Sequence, residues 1–61
     1  MRYYKVTLEN GEELVHESKT SLDNEQLLAQ MQEQATLSPA EVDEVRDIEE
    51  IDEEEYEMMA I

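Results

Sequence analysis

Apolar and polar residues alternate from the second residue onward. In Arg2–Leu8, Tyr4, Val6 and Leu8 stand at every other position, separated by Lys5 and Thr7. That period of two, carried by β-branched and aromatic side chains, predicts a strand with Tyr4, Val6 and Leu8 facing a core. Asn10-Gly11 follows. Glycine accepts positive φ without steric cost and asparagine tolerates it, so the pair predicts a hairpin, with a return strand over about 12–18. Two registers fit. A two-residue loop sets Val6 opposite Val15, Lys5 opposite His16 and Glu9 opposite Glu12. A three-residue loop with Gly11 in a bulge sets Val6 opposite Leu14 and Tyr4 opposite His16. The slip between them exchanges the faces of the return strand. The two-residue loop is the preferred reading.

The period then changes. Asp23 with Gln26 three residues on forms a capping box, and Leu22 with Leu27 forms a hydrophobic staple. A helix is predicted over about 24–35, with Leu27, Leu28, Met31 and Ala35 on the buried face and Gln30, Gln32, Glu33 and Gln34 towards water. Pro39 ends it, because the residue before a proline avoids the helical region. Ser38-Pro39-Ala40-Glu41 reads as a fresh helix start. Val42, Val45, Ile48 and Ile51 then recur every third residue, which suits neither a helix stripe nor strict strand alternation. The preferred reading is a short turn over 39–44 and a third strand over about 45–51 beside the hairpin. The alternative is a helix through 39–50. Asp52 with Glu55, and Ile51 with Tyr56, repeat the cap-and-staple pattern, which predicts a short helix over 53–59. Tyr56 and Met59 are expected inside, with Met58 and Ile61 exposed. The expected fold is α+β: a small antiparallel sheet with one main helix and a short C-terminal helix, in a single domain over 1–61.

Charge alters this picture more than length does. The chain has 61 residues and a formal net charge of −14. Residues 41–61 hold eleven acids against Arg46 alone, whereas residues 1–40 hold seven acids and three bases. Such a balance repels nucleic acid and anionic membrane and attracts basic protein surfaces. The apolar residues threaded through the tail set it apart from a disordered acidic tail. So small a domain buries only about 60% of its unfolded surface, and without cysteine nothing staples it, so dimerisation is one remedy. The polar start MRYYKVTLENG is no signal peptide and no apolar run is long enough to cross a membrane, which points to a cytoplasmic protein.

Catalytic patterns are absent from the sequence. There is no Gly-flanked serine elbow and no phosphate-cradling loop, since Gly11 is the sole glycine. DIEEIDEEEYE lacks the glycine and spacing of a calcium-binding loop. His16, the sole histidine, has no second ligand at a recognised spacing, so it reads as an ordinary exposed strand residue beside Lys5 or Tyr4. No cofactor, metal site or enzyme activity is expected. What remains is the carboxylate array. Side chains on one face of a strand repeat about every 6.6 Å, a spacing of the same order as duplex phosphates at about 3.4 Å per strand. The expected partner-binding residues are Asp47, Glu49, Glu50, Asp52, Glu53, Glu54 and Glu57, presented to a basic protein surface that itself binds nucleic acid.

With MRYYKVTLENGEEL at its start, one Asn-Gly hairpin and an IEEIDEEEYE end, the chain resembles small acidic proteins encoded by bacteriophages and other mobile elements. Several of those are DNA mimics or plugs that block host nucleases, restriction enzymes, CRISPR effectors, uracil-DNA glycosylase or RNA polymerase. The resemblance implies an inhibitor acting in the host cytoplasm and names no functional residue. The competing expectation is a plain interaction module or assembly subunit that docks through Tyr56, Met58, Met59 and Ile61.

Overall fold

The computed structural model describes residues 1–60. Two strands, β1 (Arg2–Leu8) and β2 (Glu13–Ser18), form the hairpin. Helix α1 (Asn24–Glu33) and a single turn, α2 (Pro39–Val42), lead to β3 (Val45–Ile51) and then helix α3 (Glu53–Ala60). The sheet is antiparallel in the order β2-β1-β3, so the third strand pairs with β1, and residues 39–50 form no continuous helix. The α+β architecture is the expected one.

The hairpin register is not the preferred one. Val6 stands opposite Leu14 and Tyr4 opposite His16. The loop has three residues: the Leu8 N–H donates to the Glu12 carbonyl at 2.8 Å, and Gly11 has φ +89°. Burial explains the choice. The two-residue loop would turn Glu13 and Glu17 towards Tyr4, Val6 and Leu8, and it would set Glu9 against Glu12. The observed register sends both glutamates to the other face and brings Leu14 against the core. It also carries His16 inward. Instead of lying exposed, His16 is only 4% accessible, with Nε2 and Gln30 Oε1 3.2 Å apart. Gln30, expected to face water, is half-buried through this contact.

Helix α1 begins as the capping box requires. Asp23 Oδ1 accepts the Gln26 N–H at 2.8 Å, and Gln26 Oε1 accepts the Asp23 N–H at 3.2 Å. The neighbouring Leu22 N–H donates to the Tyr4 hydroxyl at 2.9 Å, tying the helix entrance to the sheet. Leu27 and Met31 are fully buried against Tyr4, Val6 and Leu8. The helix ends two residues earlier than expected. Ala35 does not join the buried face; it is exposed with φ 61°. The Thr36 N–H reaches the Met31 carbonyl at 2.8 Å and the Ala35 N–H reaches that of Gln32 at 3.0 Å, which is a Schellman ending. That reversal delivers Leu37 to the core, 1% accessible.

A bulge resolves the three-residue repeat in β3. Thr7 pairs with Asp47 and Leu8 with Val45, leaving Arg46 as the extra residue. The insertion changes the side-chain parity once, so Val45 and Ile48 both pack on the core. Beyond the bulge alternation is regular, and Ile51 falls on the opposite face, across from Tyr3.

Candidate functional site: the acidic face under and around the C-terminal helix

Strand pairing sorts the acids. On β1, Tyr3, Lys5 and Thr7 point away from α1. Their partners are Glu17, Val15 and Glu13 on β2, and Ile51, Glu49 and Asp47 on β3. One face of the sheet thus carries Glu13, Glu17, Asp47 and Glu49 around Lys5. Helix α3 packs across that same face over β1 and β2. Asp52 caps it, with Oδ1 accepting the Glu55 N–H at 2.8 Å. Glu53, Glu54 and Glu55 occupy its first turn, where the positive end of the helix dipole stabilises negative charge.

Two contacts hold α3 down. The Tyr3 and Tyr56 rings lie 4.8 Å apart between centroids and are tilted by 38°. Lys5 Nζ lies 3.6 Å from Glu13 Oε2, 3.6 Å from Glu49 Oε2 and 3.8 Å from Glu55 Oε2. One ammonium therefore links β2, β3 and α3. Desolvation works to lower its pKa, but the charges of Glu49, Glu13 and Glu55 outweigh that and hold it above the ordinary value. Partial burial, then the charges of Glu53, Glu17 and Glu57, raise the Tyr3 phenol in turn. The acids of α3 and of β2 therefore act on a single ring.

The expected binding residues do not form one array. Asp47 and Glu49 share the α3-side face, and Glu53, Glu54 and Glu57 are exposed along α3 itself. Asp52 is engaged in capping. Glu50 lies on the opposite face, across from Tyr4, where its Oε2 accepts from Arg2 Nη1 at 2.8 Å. That bond, then the glutamate's charge, raises the Arg2 pKa. Three acids of this face escaped the sequence reading: Glu13, Glu17 and Glu55. The first two depend on the hairpin register, and the preferred register hid them. Glu55 was legible only as a cap partner.

At the apolar end the described residues lie as expected. Tyr56 and Met59 are half-buried, Met58 is 73% accessible, and Ile61 lies outside the described residues. Among the described residues no helix is long and apolar enough to cross a membrane. Compared with protein-family models, with curated proteins and with solved structures, the chain gives no match in any of the three.

Proposed function

We propose that the protein is a non-enzymatic inhibitor whose acidic face occupies the basic nucleic-acid groove of another protein. The observation that supports this reading is the convergence of acids from β2, β3 and α3 on one side of the sheet, with Lys5 the base at their centre. Asp47, Glu49, Glu53, Glu54 and Glu57 carry the binding, joined by Glu13 and Glu17. Asp52 contributes mainly by holding α3, and Glu50 belongs to the other face. Among the described residues of α3, Met58 is the one large apolar side chain left exposed, and a lone exposed apolar side chain is normal on a protein surface, which favours the charge-led reading.

Capture of a partner from a bacterial lysate at low salt, followed by competition with duplex DNA, tests the proposal. Binding should weaken steeply with salt, because charge-led association releases counterions. Neutralising Glu49, Glu53, Glu54 and Glu57 together to glutamine should cost on the order of tenfold or more, since each exposed pair is worth about 0–1 kcal/mol. Glu50→Gln should change little. Unaltered binding by the fourfold variant, with DNA still able to bind beside it, would overturn the reading, whereas dominance of Met58→Ala would establish apolar docking.

A further inference from the structure

We propose that the free edge of β3 accepts a basic, extended segment of a partner protein as a fourth strand. β3 is an edge strand seven residues long. An antiparallel edge turns alternate backbone N–H and C=O groups outward, and these are a template for a further strand. Among the described residues, no backbone group of Val45–Ile51 bonds outside the sheet's own ladder.

The two edges of the sheet differ in what lines them. β2 is flanked on both faces. Gln30 of α1 reaches His16 from one side, and α3 packs against β2 from the other. On β3, Arg46, Asp47, Glu49 and Glu50 are all exposed. Side chains of an added strand would meet Asp47 and Glu49 on the α3 side, and Ile48 and Glu50 on the α1 side. Ile48 is half-buried and packs on the core, so an apolar partner residue there would extend it. The segment that fits has bases at alternate positions facing Asp47 and Glu49, and β-branched apolar residues between them.

The same charges disfavour a second copy at this edge. Antiparallel pairing of two β3 strands centred on Ile48 sets Asp47 opposite Glu49 twice, between chains of net charge −14 each, and the bulge takes Arg46 out of the regular pairing that would set it against Glu50. The bulge at Arg46 limits any added strand to the segment beyond it. Acids at an edge repel acidic strands, cost a neutral strand the desolvation of carboxylates it cannot pair, and favour basic ones. The proposal rests on the reading above only in that the partner is basic; backbone pairing is its own claim.

The test uses the whole protein and two short synthetic probes of equal charge. One peptide alternates lysine and valine; in the other, proline replaces valine, which removes the strand-forming N–H groups. At low ionic strength the alternating peptide should bind at least about tenfold tighter, because several backbone hydrogen bonds at about 0.5–1.5 kcal/mol each distinguish it. Amide hydrogen exchange should slow within Val45–Ile51 and stay unchanged within Glu13–Ser18. The combined Asp47→Asn and Glu49→Gln variant should bind it more weakly. Equal binding of both peptides, no binding, or new protection in β2 would each overturn the edge proposal. Equal binding of the two leaves the charge-based reading standing. A failed competition with DNA, beside a positive peptide result, removes the groove reading and keeps the edge.

Discussion

On the α1 side of the sheet, Leu27, Met31 and Leu37 close over Tyr4, Val6 and Leu8, and the polar groups brought inside are bonded. On the α3 side, one lysine and one tyrosine pair hold an acidic helix against an acidic strand face. The first face is stabilised by removing apolar area from water, which does not depend on ionic strength in the way charge does. The second combines little apolar burial, mainly Ile51, Tyr3 and Tyr56, with Coulomb terms of both signs. The same sheet thus has a face that makes it fold and a face free to present charge. The acids can be crowded because they are spared from the core.

The largest effect expected is on the α1 face. Leu27→Ala should cost about 2–5 kcal/mol through lost burial and a cavity, measured by urea unfolding. A loss below about 1 kcal/mol would mean that this face does not carry the fold. Gly11→Val should cost about 1–2 kcal/mol. Open space surrounds a Cβ built at Gly11, so the penalty comes from its positive φ alone. Because the turn sets the register, this variant should perturb both faces together, visible as amide shifts in both His16 and Glu17. Tyr56→Ala should cost less, about 0.5–1.5 kcal/mol for the aromatic pair plus a little area, and should loosen α3 while leaving α1 protected from hydrogen exchange.

Ala35→Gly should stabilise by roughly 0.5–1 kcal/mol, since glycine relieves the strain of φ 61° and loses part of that gain to backbone entropy. No stabilisation would indicate that the helix ends differently in solution. The smallest effect distinguishes the α3 face by pH. Lys5 and Tyr3 both hold their protons more tightly in the folded state than at their ordinary values of 10.5 and 10.0. Their contribution is complete below those values and is lost as pH climbs through the higher folded ones. Stability should therefore decline above about pH 10, with α3 loosening first in hydrogen exchange. The Lys5→Met variant should lose the lysine part of this decline. An alkaline profile identical in parent and variant would show that Lys5 does not bind the three elements together.

Local signals were legible wherever the chemistry was local. The Asn10-Gly11 turn, the caps at Asp23, Ser38 and Asp52, the break at Pro39 and the alternation of Tyr4, Val6 and Leu8 each depend on residues within four positions. Together they determined the order and type of the elements up to α2 and of α3, while the third strand stayed open against a helix through 39–50. The acid excess of the tail was equally plain, and with it the attraction to basic surfaces. What the tertiary structure decided was parity. Which of Glu13 and Leu14 faces the core depends on one residue of loop length, which is settled by the cost of burying two glutamates under α1 rather than by the turn itself. Likewise Val45 and Ile48 share a face because a bulge at Arg46 lets both reach the core, and Ile51 falls on the other face, opposite Tyr3, because regular alternation resumes beyond the bulge. A strand's side chains change face with every single-residue shift. The acidic residues were therefore readable one by one, but their grouping into a surface had to wait for the sheet.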